Sequence, residues 1–153
     1  QELLLFRSSL FWNIPKSESI DDAWLMKALV LIRERMKTLR DVNEINNVFS
    51  STWDIEHKDF DQALLVPKKG TMEVTKHYLQ QTALWLEKYE GQWDAATLKE
   101  KMITAIADMG KKNGEILWPL RVALSLQSAS TDVFDFLALL GKEESIRRVR
   151  GFS

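Results

Sequence analysis

The 153-residue chain contains no cysteine. That excludes disulfides, thiolate nucleophiles and cysteine-bound metal, and it fits a reducing compartment. Three prolines and six glycines are all that punctuate it, and strand signals are weak throughout. Its two histidines, His57 and His77, stand in no recognisable arrangement with a serine and a carboxylate, and no glycine-rich phosphate loop occurs. No apolar run approaches the roughly eighteen residues of a transmembrane helix. The opening "QELLLFRSSLFW" is apolar but short; it lacks a basic start and a small-residue cleavage site, so it is not read as a signal peptide. Net charge is only -1, which argues against a nonspecific nucleic-acid coat.

Hydrophobic residues make up 45% and charged residues 28% of the chain, a balance that supports a packed core and argues against disorder. The length suits one domain or two small helical subdomains. Six tryptophans are expected mostly as core or interface anchors. The charges are segregated. Lys27, Arg33, Arg35, Lys37 and Arg40 stand against Glu34 alone over residues 24–40, Asp41 to Asp61 is acidic, and Arg147, Arg148 and Arg150 close the chain. Such segregation can place a positive patch on a neutral protein; the plainer alternative is a solvated helix face. Asp54, Glu56, His57, Asp59 and Asp61 match no zinc or EF-hand spacing and are read as a solvated acidic loop.

The periodicity predicts an all-α chain. Leu25, Ala28, Leu29, Ile32, Met36 and Leu39 line one face of a helix over Asp21–Arg40, capped by Ser19 or Asp21. Asn43–Phe49 and Lys58–Val66 read as short helices with a loop over Ser50–Lys58. A long helix spans Thr71–Tyr89, its face marked by Val74, Tyr78, Leu79, Thr82, Leu86 and Tyr89; Gly91 ends it, and Asp94 caps Ala95–Met109. A basic turn, Gly110–Gly114, leads to a helix holding Leu117 to Leu124; a start at Ile116 or later would leave Pro119 in the first turn, where its missing N–H costs nothing. Ser130 or Thr131 caps Val133–Leu140, Gly141 ends it, and Lys142–Arg150 is the last helix. Trp118, Phe134 and Phe136 are assigned to the core.

Within this pattern, Arg121 stands in an apolar run, and a polar stretch from Ser125 to Asp132 separates two helices. Taken alone, Arg121 reads as an arginine paired with an acid at a helix interface, and Arg35 as a surface arginine beside Glu34 and Asp41. Two blocks change the weighting. "GKKNGEILWPLRVALS" followed by "DVFDFLALLGKEESIRRV", and the upstream "LIRERMKTLRDV" from Leu31 to Val42, resemble the C-terminal anticodon-binding region of bacterial-type glutamyl-tRNA synthetases. The matching residues are Pro119-Leu120-Arg121-Val122-Ala123-Leu124, Leu139-Leu140-Gly141-Lys142-Glu143 and the R-x-R segment at Arg33 and Arg35. The resemblance runs from about Trp24 to Arg150, weakest between Thr52 and Leu98. The chain departs from the family in carrying Leu126 where a glycine is usual, so the turn there is expected to be shaped differently.

The resemblance implies an all-α helical bundle, or cage, of the class I glutamyl-tRNA synthetase anticodon-binding type. From its own pattern the chain is expected to part near residues 46–50, into a subdomain over 1–48 carrying the R-x-R segment and a second over 49–153. The resemblance implies that Arg35, Arg121, Ser130, Thr131 and Val133 contact the anticodon loop of the tRNA for glutamate. Arg33, Lys111, Lys112 and Arg147 are candidate phosphate contacts, but solvated surface charge is the plainer role for Lys111, Lys112, Arg147 and Arg148. Unpaired, splayed bases are the usual target of sequence-specific RNA readers, and the arginine fork suits a base edge. An arginine at position 35 is associated in the family with preference for cytosine over guanine at the third anticodon base. The expected parent is a monomeric, cytoplasmic glutamate–tRNA ligase (or an organellar one) using ATP and Mg2+ in a catalytic domain that is not in this chain, with no cofactor, metal or catalytic residue here and no membrane partner. The chain opens without methionine and is expected to be a piece of that longer protein. The alternative is a helical protein–protein interaction module whose arginines pair with acids.

Overall fold

The computed structural model describes residues 22–33, 37, 53–54 and 56–153. Among the described residues all regular structure is helical, with no strand, as the periodicity predicts. The chain divides into two compact units, Gln1–Asp59 and Phe60–Ser153. The boundary expected between residues 48 and 49 falls outside the described residues, as do Arg35, Arg40, the caps Ser19 and Asp21 and the short helix expected over Asn43–Phe49.

In the first unit, α1 spans Asp22–Arg33. Asp22 in its first turn and Arg33 in its last both complement the helix dipole. Leu25 and Ala28, three residues apart, are buried, whereas Met26 and Val30 are exposed. The segment expected as a loop after Ser50 is instead helical at Trp53, Asp54 and Glu56 and continues into a 3₁₀ turn, His57–Asp59. The buried Trp53 indole stacks on the His57 ring at 4.5 Å, and helical spacing brings partners four residues apart together.

The second unit opens with a 3₁₀ turn, Gln62–Leu65, capped by the Asp61 carboxylate, which accepts from the Ala63 N–H at 3.0 Å. This replaces the continuous helix expected over Lys58–Val66. Helix α2 spans Met72–Lys88, with the Thr71 hydroxyl accepting from the Val74 N–H. Its buried face is Thr75, Leu79, Thr82, Ala83 and Leu86, and Val74 is exposed, so the face is turned from the one expected. Threonine tolerates this burial where its hydroxyl can return to the backbone, as Thr82 Oγ1 does by donating to the Tyr78 carbonyl at 2.8 Å. Helix α2 also stops earlier than expected, because Tyr89 is extended and enters an aromatic run. Its ring stacks on Trp85 and meets the edge of Trp93, and Lys142 Nζ donates to its carbonyl at 2.6 Å. Gly91 is therefore not the helix end; a Cβ there would collide with the Tyr89 ring.

Helix α3, Ala95–Asp108, is capped by Asp94 as expected. Helix α4, Asn113–Ser125, starts earlier than expected, so Gly114 is helical and Pro119 is interior. Proline there leaves the Glu115 carbonyl without its helical donor, and burial of the Pro119 ring offsets part of that cost. The Glu115 carboxylate explains the early start, since it accepts from the Lys112 backbone N–H at 2.8 Å and satisfies an orphan donor of the first turn. Helices α5, Val133–Leu140, and α6, Lys142–Arg150, turn on Gly141 at φ 80° and ψ 170°, a backbone region open in practice to glycine alone. Helix α2 packs on α4 and α6, α3 packs on α5, and α4 touches each of the other helices of this unit. Surrounded in this way, α4 buries Ile116, Pro119, Leu120, Val122, Ala123, Leu124 and Ser125.

Candidate nucleic-acid interface

Arg121 lies in the middle of this central helix, on the one strip that its buried neighbours leave partly open. Its Nε is cut off from water and has no hydrogen-bond partner, and among the described residues no acid pairs with its side chain. The interface ion pair that an arginine between two apolar residues suggests is therefore not formed here. A buried donor left unmatched costs about 1–3 kcal/mol, and native structures keep few such groups.

The polar stretch after α4 is a wound turn. Leu126 caps α4 in the left-handed region, φ 57° and ψ 24°, its N–H donating to the Val122 carbonyl at 2.7 Å. This is the position where the resemblance implies a glycine. Leucine holds the same left-handed turn because its side chain is buried, 8% exposed. The Ser125 hydroxyl donates to the Arg121 carbonyl at 2.8 Å and accepts from the Gln127 N–H at 3.2 Å. At the far side of the turn neither Ser130 nor Thr131 caps α5, which corrects the sequence expectation. Asp132 does, its carboxylate accepting from the Phe134 N–H at 2.9 Å. Asp132 stands directly before the first apolar residue of the helix, the ordinary N-cap signal. Ser130 Oγ instead donates to the Thr131 carbonyl. Thr131 Oγ1 is buried without a partner. Val133 buries its side chain, so only its backbone at the helix start can face a ligand. Two unmatched polar groups thus belong to the α4–turn–α5 segment, one on Arg121 and one on Thr131.

The proposed phosphate contacts are spread out. Lys111 and Lys112 are exposed at the start of α4, about 20 Å along the helix from the polar turn at 1.5 Å per residue. Lys111 Nζ sits 5.4 Å from the Tyr78 ring centre, and the Tyr78 hydroxyl beside it raises its pKa above the usual lysine value. The lysine edges a groove of about 620 Å³ among His77, Tyr78, Trp85, Met102 and Ile106, whose lining includes neither Arg121 nor the polar turn. Arg147 is 44% exposed and forked onto Glu144, with Nε and Nη2 both at 2.8 Å from its oxygens. Arg33 ends α1 in the first unit and is exposed.

Arg148 overturns its expected role as solvated surface charge. Its side chain is fully buried; Nε donates to Glu144 Oε1 at 2.6 Å and Nη1 donates to the Leu124 carbonyl at 2.8 Å. The signal was present in the spacing: Ser145, Arg148, Val149 and Phe152 form one buried helical stripe. The core assignments of Phe134 and Phe136 hold, while Trp118 is only partly buried and donates its indole N–H to the Leu64 carbonyl at 3.0 Å.

These features define an all-α domain whose candidate site is an open arginine beside a wound polar turn. A family model described as an anticodon binding domain matches residues 4–152, and the chain belongs to that family. It is 32% identical over 127 residues to a glutamate–tRNA ligase of Herpetosiphon aurantiacus, covering 83% of this chain and 25% of that protein. It is 30% identical over 145 residues to a glutamate–tRNA ligase of Clostridium acetobutylicum, covering 93% of this chain and 28% of that protein. The chain thus spans about a quarter of the length of the curated relatives it matches. A crystal structure of a glutamate tRNA ligase from Elizabethkingia meningosepticum in complex with its amino acid shares the fold, with TM-score 0.72 and 21% identity over 98% of this chain and 28% of that one.

Proposed function

We propose that this chain reads the anticodon loop of the tRNA for glutamate, as the tRNA-recognition part of a glutamate–tRNA ligase. The observation that carries the proposal is Arg121: a guanidinium on a central helix, partly open, its Nε buried and unmatched, in a chain that belongs to the anticodon binding domain family. A base edge beside the polar turn would meet the open end of the guanidinium rather than the buried Nε, and the arginine fork can hold such an edge by two bonds. Thr131 Oγ1 and the backbone at the start of α5 are the second contact, with Ser130 shaping the turn between them. Arg33, Lys111, Lys112 and Arg147 are the candidate phosphate contacts, and Arg147 must first leave Glu144. Activation of glutamate with ATP and Mg2+ belongs to the catalytic part of the ligase; among the described residues no group of three or more acids or histidines is placed to hold a metal. Among them, too, no helix is long and apolar enough to cross a membrane.

Arg35 completes the reading on the strength of the sequence resemblance. A guanidinium has only donors and suits the O2 and N3 acceptors of an unpaired cytosine; guanine presents N–H donors on its pairing edge. Arg35 would thus favour the glutamate anticodon over that of glutamine. The test is titration of the chain with an anticodon stem-loop. Arg121→Ala should weaken binding by about 1–3 kcal/mol, as for loss of a bidentate base contact, and Arg35→Gln should narrow the preference for cytosine at the third base. Wild-type affinity in folded Arg121→Ala would remove Arg121 from the site.

A further inference from the structure

We infer that Arg148 is a positioning residue for the anticodon site: its buried guanidinium ties α6 to the last turn of α4 and thereby sets the polar turn beside Arg121. This rests on the reading in which Arg121 and that turn face RNA. The last four carbonyls of a helix have no donor of their own. In α4 the Val122 carbonyl is met by the Leu126 N–H at 2.7 Å, and the Leu124 carbonyl is met by Arg148 Nη1 at 2.8 Å in a buried bond. The first donor is local. The second comes from another helix and depends on how that helix is held.

Glu144 does the holding. Its Oε1 accepts from Arg148 Nε at 2.6 Å, four residues on along α6, so the fork is fixed at one edge while another nitrogen reaches α4. Lysine cannot reproduce this, since its ammonium is a single point on a flexible stem. Without the Arg148 donor, the buried Leu124 carbonyl must seek water, and the final turn of α4 loosens. That turn carries Ser125, whose hydroxyl bonds the Arg121 carbonyl at 2.8 Å, and Leu126, whose left-handed backbone relaxes once packing releases it. Arg121 stands one turn before Leu124, so its aim follows.

The test uses the 153-residue chain, amide exchange by NMR, and stem-loops altered at each anticodon base in turn. Arg148→Lys, measured where circular dichroism shows it folded, should expose the Leu126 and Gln127 amides to faster exchange. It should also weaken binding by about tenfold, the scale of one charge-assisted bond. Discrimination should fall at the same anticodon position that Arg121→Ala affects. Leu98→Ala, a buried truncation on α3, lowers stability without that positional signature. If Arg148→Lys does not fold, Glu144→Gln decides, because it loosens the fork and leaves Arg148 in place; a smaller loss at the same position is then expected. Wild-type discrimination in a folded Arg148→Lys, or in Glu144→Gln where the lysine variant is unfolded, overturns the inference, as does the same positional loss in Leu98→Ala. Absence of any stem-loop binding by the wild type overturns the proposed function together with it.

Discussion

Arg121 and Arg148 carry the same guanidinium to opposite ends. Arg148 is fully buried and matched by Glu144 and the Leu124 carbonyl, so removing either partner would strand a buried charge or carbonyl. Arg121 is partly open, and its buried Nε is unmatched. Between them stands Leu126, a non-glycine residue at φ 57°. Left-handed backbone costs an ordinary residue about 1–2 kcal/mol, and here burial of the leucine side chain outweighs it. Two substitutions separate the terms. Leu126→Ala loses the packing and keeps the strain; Leu126→Gly loses the packing and relieves the strain. We expect the glycine variant to be the more stable by about 1 kcal/mol, read from urea melts of both. Equal midpoints would show that the left-handed turn carries no strain.

At the scale of elements, the ends of α3 and α5 respond to pH in opposite directions. At the start of α3, Asp94 accepts from the Thr97 N–H at 2.9 Å and from the Thr97 hydroxyl at 2.7 Å. The backbone bond above all, then the hydroxyl, holds its pKa below the usual value. A depressed carboxylate contributes stability above its unfolded pKa and loses it as pH falls through the folded one. In the first turn of α5, Asp135 is pushed the other way, chiefly by burial and then by the Asp132 charge, with Lys99 opposing. A raised carboxylate is a penalty at neutral pH, relieved as pH falls through its folded pKa and gone below the unfolded value of about 3.9. Asp135→Asn should therefore raise the melting temperature at pH 7, and the gain should shrink on acidification and vanish near pH 3. A gain that persists at pH 3 would mean the asparagine acts through packing instead.

At the scale of the whole molecule, a net charge of -1 leaves recognition to a few placed cations rather than to a general field. If the proposed function holds, stem-loop binding should weaken with salt at a log–log slope of about -2 to -3, as for three or four phosphates on a single strand. A slope near zero would favour the helical protein-interaction alternative.

The all-α class, the existence of each helix in the second unit, the Thr71–Tyr89 and Ala95–Met109 segments to within one residue, and the Asp94 cap were legible in the sequence. Each depends on contacts between residues three or four apart, which helical spacing displays directly. The family, too, was legible, because Pro119 to Leu124 and Leu139 to Glu143 keep their order and separation. Other features were settled only by packing. Which face of α2 is buried depended on the neighbours α4 and α6, and Pro119 is tolerated inside α4 because its ring is buried there. The division of labour between Arg121 and Arg148 is the sharpest case. Local spacing offers Arg148 a carboxylate, Glu144 four residues before it, and offers Arg121 none within a turn, but nothing local says which guanidinium finds a carbonyl. Arg148 finds its carboxylate one turn away on α6, but the Leu124 carbonyl that completes the match comes from another helix, so only the tertiary structure could choose between them.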